Sequence, residues 1–135
     1  MSADLPAGAA GDLRRMVEAC RRTLLSSDHE LVKVAAAVLC ADGRVFSALQ
    51  VRSRNCNHCS VCAEAIAIGM AVTAGYRDLV ACVALVRSGA GTVVYSPCGS
   101  CRELLRDHGV AHVVVAESPT AQLATATLSE LLPWP

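Results

Sequence analysis

Eight cysteines occupy this 135-residue chain, at positions 20, 40, 56, 59, 62, 82, 98 and 101. Three of them fall in two short motifs whose residue types suit metal chemistry. Cys62-Ala63-Glu64 opens one apolar segment, and Pro97-Cys98-Gly99-Ser100-Cys101 opens another segment that reads as helix. Each motif follows a loop and begins a predicted helix, where the first N–H groups lack intrahelical partners. Those groups and the helix dipole favour thiolates. Cys98 and Cys101 are spaced to share one face of a helical turn, and Cys62 completes a set of three thiolates. Three protein ligands on Zn²⁺ leave the fourth tetrahedral position for water, which is the catalytic rather than the structural arrangement. Glu64 then has a role. A carboxylate at a buried helix start is costly without one; as a general acid/base it takes a proton from water and delivers it to a substrate nitrogen. Three thiolates on a divalent cation are net negative, and Arg102, next to Cys101, is the candidate cation that offsets them.

A second arrangement uses the same residues differently. Cys56-x-x-Cys59-x-x-Cys62 has zinc-knuckle spacing, so Cys56 or Cys59 could supply a fourth thiolate. The product is a closed four-thiolate site in a non-catalytic binding or assembly module. It leaves Glu64 and Pro97 unexplained. Cys56 and Cys59 otherwise read as loop residues near a pocket mouth. Cys20, Cys40 and Cys82 lie in apolar patterns and read as small core residues.

Composition narrows the function classes. Lys plus Arg total 12 and Asp plus Glu total 12, so the net charge is zero, against a nucleic-acid partner. Aromatics at 3% are too few for a base-stacking platform. The longest uncharged run, Ser88 to Cys101, is too short to span a bilayer and contains Gly and Pro, so no membrane association is expected. The N-terminus lacks a basic start followed by an apolar stretch, which points to the cytoplasm and to reduced thiols.

The elements that must position these residues follow from periodicity. Residues 1–11 are small and polar and read as a flexible tail, ahead of a single domain over 12–135. Leu13, Met16, Val17, Cys20, Leu24 and Leu25 recur at helical spacing, giving an amphipathic helix from Asp12 to near Ser26. Leu31 to Leu39 and Arg44 to Val51 read as strands of a hairpin around Asp42-Gly43. Arg52 to Ser60 is a polar loop. Val61 to Ala74 is apolar nearly all round and predicts a helix buried in the middle of the domain. Leu79 to Val86 and Val110 to Ala116 are buried strands, Thr92 to Tyr95 a short extension, and Gly99 to His108 a helix stopped by Gly109. Ala121 to Leu132 has a weaker pattern and reads as a short strand and then a turn of helix before Pro133. The order predicts an α/β protein with a mixed sheet.

Cys62-Ala63-Glu64 followed by Ser96-Pro97-Cys98-Gly99-Ser100-Cys101-Arg102-Glu103-Leu104-Leu105 closely resembles the zinc-dependent cytidine deaminases. The likeness extends weakly to Val34 to Ala37, Asp42-Gly43-Arg44 and Leu131-Leu132-Pro133. The resemblance implies a three-layer α/β/α sandwich around a central mixed sheet of about five strands. It implies a homotetramer, with a dimer as the smaller assembly. It assigns Cys62, Cys98 and Cys101 to zinc and Glu64 to proton shuttling, with the Ala63 N–H and the Ser96 carbonyl touching the amidine and the leaving ammonia. The reaction implied is hydrolysis of an exocyclic amine on a cytosine-type nucleoside or analogue, a small-molecule substrate.

Three positions depart from the family. Gln50-Val51-Arg52 stands where an Asn-Val-Glu triplet grips the ribose, and a guanidinium cannot accept a bond from a sugar hydroxyl. Asp28-His29-Glu30-Leu31 lacks the aromatic residue that precedes the first strand, and Ala65 stands where an arginine follows the catalytic Glu. These departures resemble the blasticidin-S deaminase branch, which also ends with a Trp, as Trp134 does here after Leu-Leu-Pro. Gln50, Arg52 and Trp134 are therefore the expected substrate-binding residues, and Arg52 is suited to a substrate carboxylate or phosphate.

Overall fold

The computed structural model describes residues 8–133. Six strands form one mixed sheet: β1 (Val34–Cys40), β2 (Val45–Leu49), β3 (Leu79–Ser88), β4 (Gly91–Val94), β5 (His112–Glu117) and β6 (Leu123–Thr127). Their order is β2-β1-β3-β5-β6, with β4 paired to β3 off this path. The expected five strands account for that path; the sixth is the Thr92–Tyr95 extension, which turns back on β3 through Gly89 at φ 59°. The β3–β5 pair is parallel and the others are antiparallel. The β1–β2 hairpin forms around Gly43, whose φ of 92° favours a residue without Cβ.

Four helices cover the two faces: α1 (Ala9–Leu25), α2 (Ala63–Thr73), α3 (Gly99–Asp107) and α4 (Leu128–Leu131). Period-two alternation decides which face each strand residue meets. Ala35, Ala37 and Leu39 of β1, with Ala81, Val83 and Leu85 of β3, pack under Leu13, Met16, Val17, Cys20 and Leu24 of α1. Val38 and Cys40 point the other way, to Ala67, Ile68 and Ala71 of α2 and Leu105 of α3. The layers are α/β/α.

Two features differ from the sequence expectations, the start of α1 and the burial of α2. Helix α1 starts at Ala9 rather than Asp12, because Ala9 and Ala10 are good helix formers and Gly8, at φ 85°, supplies the break. The Ala121 to Leu132 stretch is, as expected, a short strand, β6, followed by a turn of helix, α4, whose start Thr127 caps by accepting from the Glu130 N–H at 3.1 Å. Helix α2 is not buried all round. Ala63, Ala67 and Ala71 are fully buried, but Met70 and Val72 are 41% and 47% exposed.

Candidate metal centre and active site

The N-terminus of α2 approaches the sheet closely because the sheet offers it small residues. Ala36 and Ala84 are paired across β1 and β3, and Ala63 sits on that pair with no exposed surface. Cys62 is the residue before α2, in extended conformation at φ −64° and ψ 146°. Cys98 holds the same place before α3, at φ −69° and ψ 170°. Their carbonyls already accept the first helical bonds, from Ile66 and Arg102. Both sulfurs therefore sit at helix starts. Cys101 lies one turn into α3. The sulfurs of Cys62, Cys98 and Cys101 fall within 4.8 Å of one another.

The electrostatics of this group favour a cation. Backbone N–H groups of Cys101 and Ser100 lower the pKa of Cys98. Burial pushes the Cys62 and Cys101 thiols up, and the nearby Glu64 carboxylate adds to the effect on Cys101. Glu64 itself is 3% exposed. Burial raises its pKa, partly countered by its own backbone N–H. Three soft donors at two helix starts, beside a buried carboxylate, match the donor chemistry of a three-cysteine zinc site.

The remaining predicted residues are placed as follows. Gln50 spends its side-chain oxygen on strand β1, accepting from Lys33 N at 2.8 Å and Val34 N at 3.1 Å, so only its amide NH₂ is left for a substrate. Arg52 is exposed on the segment between β2 and α2. Ser96 accepts from Arg102 through its hydroxyl at 3.1 Å. Arg102 also donates to Pro97 O and Leu131 O, each at 2.9 Å. Its hydrogen-bond partners are all oxygens, and its fork ties α3 to α4. Trp134 lies outside the described residues. A cavity of about 420 Å³ between α1 and the ends of β1, β3 and β5 includes none of these residues.

Cys56 and Cys59 correct the expectation of reduced loop thiols: they form a disulfide with each other. Neither belongs to the Cys62 group, which argues against a closed four-thiolate site. The Cys-x-x-Cys spacing was visible in the sequence, but it fits a metal knuckle and a short disulfide equally. The Arg102–Leu131 tie went unforeseen, because no local pattern links residues so far apart in the chain.

The class this geometry defines is an α/β domain with a group of three cysteines at two helix starts that could hold a metal ion beside a buried carboxylate. The chain belongs to the family of the cytidine and deoxycytidylate deaminase zinc-binding region, whose model matches residues 11–117, and it is a deaminase. It is 36% identical over 116 residues to the blasticidin-S deaminase of Bacillus cereus, covering 82% of this chain and 81% of that protein. Among solved structures it is similar to cytidine deaminase from Burkholderia pseudomallei, with a TM-score of 0.68 at 25% identity over 96% of this chain and 98% of the other. Cytidine deaminase from Mycobacterium leprae shares the fold, with a TM-score of 0.70 at 22% identity over 90% of this chain and 98% of the other. Zinc is the metal of the family. Among the described residues no helix is long and apolar enough to cross a membrane.

Proposed function

We propose that the protein is a zinc-dependent hydrolytic deaminase of cytosine-type nucleosides or their analogues, with blasticidin S favoured over cytidine. The observation that carries the reading is the grouping of Cys62, Cys98 and Cys101 within 4.8 Å beside buried Glu64. When bound by those three thiolates, zinc supplies Lewis-acid activation of the attacking water. Glu64 takes the proton of that water and places it on the ring nitrogen, making the ring carbon electrophilic. The water oxygen adds to that carbon. Glu64 then takes the remaining proton of the added hydroxyl and passes it to the exocyclic amine; the C–N bond breaks, ammonia leaves and the ring carbon becomes a carbonyl. The Ala63 N–H, held on the Ala36–Ala84 pair, and the Ser96 carbonyl orient the amidine.

Two features support the antibiotic over the simple nucleoside. The blasticidin-S deaminase of Bacillus cereus is the relative at 36% identity. Gln50 and Arg52 replace a sugar-gripping pattern with a group whose acceptor is occupied and an exposed cation suited to a carboxylate. Trp134 is the third substrate contact in this reading; Leu131, shortly before it, is tied through Arg102 to Ser96 and Pro97. The protein is further read as cytoplasmic and as a homotetramer, or a dimer as the smaller assembly. The exposed Met70 and Val72 on α2 support a contact between copies. The test is ammonia release by zinc-loaded protein from cytidine, deoxycytidine, a cytosine nucleotide and blasticidin S. Release from blasticidin S with little from cytidine is expected. Silence across the panel with zinc bound overturns the proposal.

A further inference from the structure

The Cys56–Cys59 disulfide takes no part in the chemistry above. It lies in a strap between β2 and α2 that is closed at its base by an antiparallel bridge. Val51 N donates to Val61 O at 3.0 Å, and Val61 N donates to Val51 O at 2.7 Å. Inside the strap the ties are few. Ser53 N donates to Ser60 Oγ at 3.0 Å and Cys56 N to Ser53 Oγ at 3.1 Å. Cys56 O accepts from Cys59 N at 3.2 Å within a single 3-10 turn. The strap carries exposed Arg52 and Arg54, and it runs directly into Cys62.

We propose that Cys56–Cys59 is a thiol–disulfide exchange site whose reaction partner is a low-molecular-weight thiol. Two asymmetries set its direction. Cys59 is exposed whereas Cys56 is half-buried, so an incoming thiolate reaches the Cys59 sulfur first. The His58 ring nitrogen Nδ1 lies 3.7 Å from the Cys56 sulfur, where it can stabilise the departing thiolate. The external thiolate attacks Cys59 Sγ, the Cys56–Cys59 bond breaks, and Cys56 leaves as thiolate. A second external thiolate then attacks the outer sulfur of the mixed disulfide and releases Cys59. Two external thiols are oxidised to one disulfide, and the protein pair is reduced to two thiols. Opening removes a cross-link from a strap with little else inside it, so residues 53–60 loosen while the base bridge and Cys62 stay in place.

The experiment places the zinc-loaded protein in glutathione buffers from fully oxidised to fully reduced, followed by acid quench, alkylation and peptide mass mapping. Cys56 and Cys59 are expected to open together at an intermediate ratio, with zinc content unchanged. Cys56→Ser is expected to collect glutathione at Cys59, and Cys59→Ser to collect far less at Cys56. His58→Ala is expected to slow opening by roughly three- to tenfold. Amide hydrogen exchange over 53–60 is expected to quicken in the reduced protein and in a Cys56→Ser/Cys59→Ser double variant. A pair that stays closed, or stays open, at every ratio overturns the proposal. So does a second zinc per chain that shields both reduced thiols, since Cys56, His58 and Cys59 also group within 4.8 Å and would then be a metal site. None of these readouts depends on ammonia release, so the deaminase reading stands or falls separately.

Discussion

Replacing Glu64 by Gln separates chemistry from structure at this site. The side chain keeps its shape and can still hydrogen-bond, but it can no longer take up and release a proton. Glu64 is 3% exposed, and the helix start beneath it rests on Ala36, Ala63 and Ala84, so bulk water has little access to substitute for the carboxylate. General acid–base catalysis contributes about 10²–10⁴ in rate, or about 2.7–5.5 kcal/mol of barrier. Turnover should fall by that factor in kcat and in kcat/KM alike, with KM held, because the lost interaction belongs to the transition state. Folding should respond in the opposite direction. Burial raises the Glu64 pKa in the folded protein, so the folded state binds this proton more tightly than the unfolded chain does. The associated stability is complete below the ordinary carboxylate range, about 4.3 for Glu, and is lost as pH rises through the raised value. Metal-free Glu64→Gln should therefore lack that decline and melt no lower than wild type at neutral pH. The assays are ammonia release under saturating substrate and thermal melts across pH 4–8. Activity within about threefold of wild type, or a variant that fails to fold, refutes the reasoning.

Further tests concern the supports of the site. Arg102→Leu should lose three hydrogen bonds to Pro97, Leu131 and Ser96 and destabilise by about 1–3 kcal/mol in urea unfolding; Arg102→Lys should not rescue this, since an ammonium lacks the planar fork. Ala84→Val should crowd Ala63, costing about 1–3 kcal/mol and lowering kcat more than it raises KM, as read by melts and steady-state kinetics. Zinc retention should weaken as pH falls, because Cys62 and Cys101, held up by burial, must lose protons to bind it. Equilibrium dialysis at stepped pH measures this, and flat retention down to about pH 5 contradicts it.

The elements that carry the site were legible because their signals are local. The continuous apolar runs along 34–40 and 79–86 and the 3.6-residue period of Leu13 to Leu24 each follow from one segment's chemistry. What stayed hidden depends on neighbours. The even apolarity of α2 reports what its residues are, not what covers them, and β1 and β2 pack only one side. Gln50 stands at the register expected for substrate contact, yet its oxygen is taken by the start of the adjacent strand, a cross-strand fact invisible to a linear motif. Cys56 and Cys59 had spacing compatible with two chemistries, and only their pairing in space separates them.

The charge balance of the centre follows from the same geometry. Three thiolates around a divalent cation leave about one negative charge, and an ionised Glu64 adds another. Ala65 rather than a cation follows Glu64, and the Arg102 guanidinium donates its hydrogen bonds to three oxygens. The main chain takes over. Helices α2 and α3, of 11 and 9 residues, both begin at the thiols. Each N-terminus is equivalent to about half a positive charge, so together they offset on the order of one. The lowered pKa of Cys98, caused first by the Cys101 N–H, is that effect at a single sulfur. Burial disfavours the charged form of Glu64 and so raises its pKa. Compensation of this kind depends on where the helices start rather than on a movable cation. Arg102→Lys should then spare zinc affinity while loosening α4, whereas Ala84→Val, which displaces a helix start, should weaken zinc itself.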